Sequence, residues 1–268
     1  MEIAIMQVDS SEFTPKENLV GEVLAQLDSL ATESQLVILP ELWFHTAFGN
    51  DVYDKDLIVK TTEIVDQISR IAKSRGSWVH SGSFIFKHDN GNLYNRSYLI
   101  NSYGEIVAEY DKIHLFGIGS GEAETLTAGN RLCVVGTGFG RIGIATCFDL
   151  RFPELFRELV LLGAEVIIVV SAWPKERIED FKLLSRARAL ENQVILINCN
   201  GVGFQGNVLL GGNSIVINPK GRIILEMGDD EVHQKITLDL KQIGAYREEF
   251  PVLESRKSNI THGIMNLE

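Results

Sequence analysis

Three residues of this chain, each placed just past an apolar run, form a set suited to acyl transfer. Cys147 follows Ile142-Gly143-Ile144-Ala145-Thr146, and Asp149, Pro153 and Glu154 beyond it spell a helix start. A thiol on such a bend has backbone N–H groups close by for an oxyanion, and a helix start lowers thiol pKa. Read instead as a small buried hydrophobe, the same cysteine is core packing. This segment alone leaves both readings open. Glu41 ends the run Leu36-Val37-Ile38-Leu39-Pro40, and Lys112 follows Ile106-Val107-Ala108-Glu109-Tyr110-Asp111. In α/β proteins functional groups gather beyond the carboxyl ends of strands. A carboxylate there can take the thiol proton, and an ammonium can favour the thiolate and then the oxyanion. Taken singly, Glu41 and Lys112 read as solvated loop charges.

The elements that must hold these residues alternate, then turn strand-rich. Residues 2–8 and 36–39 read as strands, with helical stripes over Leu19–Ala31 and Ile64–Ala72, the second stopped by Gly76. Strands follow near 78–86, 93–100 and 105–110, joined as hairpins, with a further hairpin over 131–135 and 141–146. Beyond Cys147 come a helix (155–162), a strand (165–170), a helix (178–190) and a strand (193–198). Short strands at 208–210, 214–218, 222–226 and 232–238 complete the pattern. One α/β domain with mixed sheets is expected over residues 1–250, followed by a tail at 251–268 that packs on the surface or on a partner subunit.

Composition narrows the partners. The 268 residues carry a net charge of −11, which argues against nucleic acid and anionic membranes as partners. No stretch reads as a membrane span and the first residues read as a strand rather than a leader. The three cysteines, 133, 147 and 199, have no metal-like spacing, so a reduced, cytoplasmic chain is expected, with Cys133 and Cys199 as inert core thiols. Two sequons, at Asn95 and Asn259, are therefore read as chance.

Three blocks in order, Leu39-Pro40-Glu41-Leu42, Tyr110-Asp111-Lys112-Ile113-His114-Leu115-Phe116 and Cys147-Phe148-Asp149-Leu150-Arg151-Phe152-Pro153-Glu154, resemble the nitrilase, or carbon–nitrogen hydrolase, superfamily. Weaker echoes at Ser171–Pro174, Arg188–Asn192 and Asn218–Gly221 extend the likeness over nearly the whole chain. The branch it most resembles is that of omega-amidases and deaminated-glutathione amidases. The resemblance implies a single-domain, four-layer αββα sandwich and a triad of Glu41 as base, Lys112 as charge stabiliser and Cys147 as nucleophile. It also implies a second glutamate in the loop after the lysine block, where Glu122 is preferred and Glu124 is its rival. A thioester route follows, hydrolysing a small, carboxylate-bearing primary amide without cofactor, in a homodimer or higher homo-oligomer. Carbamoyl amines and nitriles are alternative substrates, and a non-catalytic scaffold of the same fold is the alternative of another class.

Around the sulfur, Phe148 offers an oxyanion N–H and Arg151 a guanidinium for a substrate carboxylate, or else a structural ion pair. Trp173 is read as pocket wall or core, and His114 as pocket lining or a holder of its loop. The six histidines show no metal spacing, so no metal is expected. Gly138–Gly143 and Gly201–Gly206 match the dinucleotide fingerprint, but each leads into a strand and reads as a glycine-rich turn. Arg186-Ala187-Arg188 reads as a solvated helix face or subunit contact.

Overall fold

A computed structural model describes residues 1–11, 15–48, 53–117 and 121–257; the Asn259 sequon, His262 and the tail past 257 lie outside the described residues. The first sheet is formed by β1 (Glu2–Gln7), β2 (Leu36–Ile38), β3 (Trp78–Lys87), β4 (Leu93–Ile100), β5 (Ile106–Asp111) and β14 (Val232–Thr237), in the order β14-β1-β2-β3-β4-β5. The second comprises β6 (Cys133–Thr137), β7 (Gly140–Thr146), β8 (Val166–Ser171), β9 (Ile195–Asn200), β12 (Ile215–Ile217) and β13 (Ile223–Glu226), in the order β13-β12-β9-β8-β7-β6. A separate hairpin pairs β10 (Val202–Gln205) with β11 (Val208–Gly211).

Strand alternation sets the layers. On β1, Ile3 and Ile5 point between the sheets, where they meet Ile142, Ile144, Ile168 and Ile197, while Ala4 and Met6 point the other way. That outer face is covered by α1 (Lys16–Ala31) and α2 (Lys55–Arg75) through Leu27, Val23, Ile64 and Ile68. The opposite outer face, with Ile167, Val169 and Leu196, is covered by α4 (Pro153–Leu161) and α5 (Ile178–Asn192) through Phe156, Leu159 and Phe181. The order is therefore helix, sheet, sheet, helix, the expected αββα sandwich. Each fully buried isoleucine of the central layer contributes about 1.5–3 kcal/mol, so a one-residue register slip, turning polar neighbours inward, is strongly disfavoured.

Caps fix the helix ends that the periodicity left loose. Asp54 accepts from the amides of Asp56 (2.7 Å) and Leu57 (3.3 Å), which starts α2 nine residues before the apolar stripe at Ile64, and Gly76 ends it at φ 65°. Two short helices complete the fold, α3 (Glu122–Thr125) and α6 (Lys241–Glu249). The sequence reading missed α6, which buries only Ile243 and has no side-chain cap. The first glycine fingerprint is a hairpin connection, Thr137–Gly140 joining β6 to β7, whereas the second is mostly the paired strand β10 rather than the turn expected. Neither meets a helix N-terminus, as a dinucleotide site requires. Among the described residues no helix is long and apolar enough to cross a membrane.

Candidate active site

The three strand-end residues converge. Glu41 leaves β2 of the first sheet, Lys112 follows β5 of the same sheet, and Cys147 follows β7 of the second. Lys112 Nζ donates to Glu41 Oε1 at 2.9 Å, and to Glu122 Oε1 at 3.0 Å and Oε2 at 2.9 Å. Glu41 and Lys112 are both 2% exposed, whereas Cys147 is only half-buried and opens on a cavity of about 270 Å³. Of the two loop glutamates Glu122 reaches the cluster and Glu124 is exposed.

Backbone geometry aims both side chains. Cys147 has φ 45° and Leu42, directly after Glu41, also has φ 45°, a region costly for residues with a Cβ. Each strained residue is held by its surroundings. At Cys147, Thr146 and Asp149 form a capping box across a five-residue 3₁₀ turn, Cys147–Arg151. Asp149 also accepts from Tyr110 Oη at 2.6 Å and the His114 amide at 2.9 Å, which ties the cysteine turn to the lysine loop. At Glu41, the Leu42 amide donates to Ser83 Oγ at 3.2 Å, and Trp43 Nε1 donates to the Ser81 carbonyl at 3.0 Å. Gly82 lies between these anchors at φ 72°, where a Cβ would stand 2.1 Å from the Pro40 carbonyl oxygen.

The electrostatics differ from the expectation of a lowered thiol. Burial and the adjacent Glu41 carboxylate, to which the thiol is hydrogen-bonded, push Cys147 well above the ordinary thiol range, despite the opposing pull of Lys112. The helix start expected to lower it is a single 3₁₀ turn, too short to supply a strong dipole. Burial would lower Lys112, but Glu122 and Glu41 outweigh it and hold the ammonium well above its usual value. The resting site therefore contains a neutral thiol facing a buried ion cluster. Cys133 is pushed up to about 11 by burial, and buried Cys199 is also pushed up.

The remaining sequence candidates separate. Phe148, Arg151 and Trp173 line the cavity. Phe148 is the second residue of its turn, where a helical N–H has no partner within the turn. Trp173 serves as both wall and core, since its ring packs on Phe181 while its Nε1 donates to the Arg177 carbonyl at 2.8 Å. Arg151 lies over the Trp173 ring at 5.1 Å and pairs with Asp180 at 2.8 Å. His114 does not line the cavity: its ring stacks on Phe152 at 3.7 Å and its Nδ1 is 2.8 Å from Asp149, so it holds the loop. Arg188 corrects the solvated-face reading, being 5% exposed with its Nε donating to the Leu150 carbonyl at 3.1 Å.

Three contributors escaped the sequence reading. Asn95 on β4 donates through Nδ2 to Glu41 Oε1 at 2.8 Å and Glu122 Oε1 at 3.1 Å, bridging the two carboxylates. Tyr53 lines the cavity, and burial followed by Glu122 pushes its hydroxyl pKa up. Arg177 adds a second guanidinium to the wall. Asn95 carried little signal in the sequence, because its neighbours Arg96 and Ser97 on β4 are polar as well.

The fold and the Glu–Lys–Cys cluster define a class: the chain belongs to the carbon–nitrogen hydrolase family, whose model matches residues 2–248. Among particular relatives, the 2-oxoglutaramate amidase of Paenarthrobacter nicotinovorans is 33% identical, covering 97% of this chain and 90% of its own length. The 2-oxoglutaramate amidase of Bacillus subtilis is 30% identical over 96% of this chain and 98% of its own. The crystal structure of Saccharomyces cerevisiae Nit3, a member of branch 10 of the nitrilase superfamily, matches with a TM-score of 0.82 at 27% identity over 94% of both chains.

Proposed function

We propose that this carbon–nitrogen hydrolase cleaves a small ω-amide bearing a carboxylate, of the 2-oxoglutaramate type, to the acid and ammonia through a thioester on Cys147. The observation that carries the reading is the convergence of the Cys147 thiol with Glu41 and Lys112 at one end of a small, largely apolar cavity whose wall bears guanidinium groups. The relatives named 2-oxoglutaramate amidase support the substrate class.

In this mechanism Sγ bonds to the amide carbon as its proton passes to Glu41. The oxyanion is received by Lys112 Nζ and the Phe148 N–H. Glu41 returns the proton to the amide nitrogen, the C–N bond breaks and ammonia leaves. Water then gives a proton to Glu41 and its oxygen to the acyl carbon, the C–S bond breaks, and the thiol recovers the proton. Because the resting thiol is neutral, proton transfer accompanies attack. Glu122 and Asn95 keep Lys112 and Glu41 in register, and Trp173 bounds the acyl chain.

The proposal extends to a homodimer in the cytoplasm. Leu161, Leu162, Leu183 and Leu190 on and beside α4 and α5 are 50–66% exposed, which suits a subunit contact. A free catalytic thiol suits a reducing compartment. Sedimentation of the wild type against Leu183→Glu checks the first point. For the chemistry, ammonia release is measured over ω-amides, carbamoyl amines and nitriles, with Cys147→Ala as control. Turnover of carboxylate-bearing ω-amides that Cys147→Ala abolishes is expected; preferred turnover of another class, or activity in the variant, contradicts the reading.

A further inference from the structure

Lys112 directly follows β5, and β5 is an edge strand: in the order β14-β1-β2-β3-β4-β5 only β4 pairs with it. A single ladder therefore sets its register, and the pairing already shifts once, between Leu99 and Ile100. The Lys112 N–H donates to the Asn95 carbonyl at 2.9 Å, and its carbonyl accepts from the Gly129 N–H at 2.9 Å. Those two bonds hold one residue. The rung beside it carries a stronger lock.

Arg96 and Asp111 face each other directly across the ladder. The Arg96 guanidinium makes a fork on Asp111, with Nε donating to Oδ1 at 2.7 Å and Nη2 to Oδ2 at 2.9 Å. Its third nitrogen, Nη1, donates to Glu109 Oε2 at 2.7 Å. The group lies 4.1 Å over the Phe86 ring, and Arg96 is 8% exposed. A guanidinium bonded at all three nitrogens and stacked on a ring is held far more firmly than an ordinary surface ion pair. Successive strand residues point to opposite faces, so the neighbours of this pair point toward the site. Asn95 bridges Glu41 and Glu122, and Lys112 donates to both. The lock on one face of the sheet thus backs the ion cluster on the other.

We infer that Arg96 is a positioning residue for the reaction: its fork on Asp111 fixes the register in which β5 delivers Lys112 Nζ to Glu41 and Glu122. The inference rests on the proposed role of Lys112, not on the identity of the amide. Glu109 shares the guanidinium, but it lies two residues farther from Lys112 and is 50% exposed, so its pair adds little.

The test compares wild type, Arg96→Met, Arg96→Lys, Asp111→Asn and Glu109→Gln on succinamate and butyramide, well below the melting temperature of each protein. Arg96→Met and Asp111→Asn are expected to lower kcat by roughly 10- to 100-fold with little change in KM, as a small misplacement of a reacting group implies. Arg96→Lys keeps the charge without the fork and should recover part of the loss. Glu109→Gln should stay within about twofold of wild type. A contribution to stability alone would lower melting temperatures and leave kcat of the folded enzyme unmoved. Unchanged kcat in Arg96→Met, or an equal loss in Glu109→Gln, overturns the inference. Alkylation of Cys147 by iodoacetamide at fixed pH needs no turnover, and Lys112 favours the thiolate it requires. Its rate should fall by roughly 3- to 10-fold in Arg96→Met, as weaker pairing of the thiolate implies, and hold in Glu109→Gln. That pattern without ammonia release by the wild type would sink the amidase reading and leave the inference standing. Normal wild-type turnover with neither rate moved in Arg96→Met would do the reverse.

Discussion

Glu41 Oε2 accepts the backbone N–H of Ala172 at 2.9 Å, so a side chain leaving one sheet is held by the main chain leaving the other. Its other oxygen accepts from Lys112 at 2.9 Å and Asn95 at 2.8 Å. The carboxylate of the proposed base is thus surrounded by N–H donors on both oxygens, with the thiol as the remaining neighbour.

Glu41→Gln is therefore not a neutral isostere. Its new NH₂ group must face either Lys112 and Asn95 or the Ala172 N–H, leaving buried donors opposed. The variant is expected to lose the proton acceptor, worth about 10²–10⁴ in rate, and to melt at a lower temperature. Steady-state ammonia release and calorimetry check both. A fully active variant, or one inactive with an unchanged melting temperature, contradicts this placement of donors.

The thiol makes a prediction opposite in sign to that of a pre-formed thiolate. Because burial and Glu41 hold Cys147 well above the usual thiol range, no thiol titration is expected in the pH profile between about 7 and 9. Alkylation of Cys147, followed by peptide mass spectrometry across that range, should rise about tenfold per pH unit with no plateau, as the small thiolate fraction grows. A flat rate would show a pre-formed thiolate instead.

Gly82→Ala tests how the fold aims Glu41. The added Cβ would stand 2.1 Å from the Pro40 carbonyl oxygen and 2.9 Å from the Trp43 ring, at φ 72°. A loss of about 2–4 kcal/mol is expected, from strain at positive φ plus overpacking. Activity should fall further than stability alone explains, because Pro40 directly precedes Glu41. Urea denaturation and kcat/KM measured together provide the check; near-wild-type values in both would contradict it.

Acid stability has a separate source. Burial lowers His80 from 6.5 to about 3, and burial followed by Lys16 lowers His45 to about 3. Between those values the unfolded imidazole binds the additional proton, so this stability is complete above about pH 6.5 and is lost as pH falls toward 3. Each histidine gives a slope of about 1.4 kcal/mol per pH unit inside that window. His80→Asn, which keeps an acceptor for the Gly82 amide now given to Nδ1 at 3.3 Å, should remove one such slope. Parallel curves for variant and wild type from pH 6 to 4.5 would exclude His80 as the source.

The legible parts of this site were those written in local pattern. Glu41, Lys112 and Cys147 each follow an apolar run, and strand ends are where an α/β fold exposes side chains, so their placement could be read locally, whereas the roles proposed for them came from the resemblance of three ordered blocks. Asn95 was passed over as a chance sequon because its two partners lie 54 and 27 residues away, and only sheet register brings them together. Arg151 drew attention by its spacing from Cys147, whereas Arg177 enters the cavity through a single 3₁₀ turn with no periodicity to mark it. The sign of the thiol shift was also hidden, since it depends on burial and on a carboxylate from the other sheet.

A covalent acyl group on Cys147 is the step on which the proposed chemistry turns. Rapid-quench intact-mass spectrometry after mixing with succinamate reads it directly. The expected result is a species heavier by the substrate mass less ammonia, located on the Cys147 peptide, discharged by hydroxylamine and absent from Cys147→Ala. Ammonia release at the wild-type rate from Cys147→Ala would contradict it.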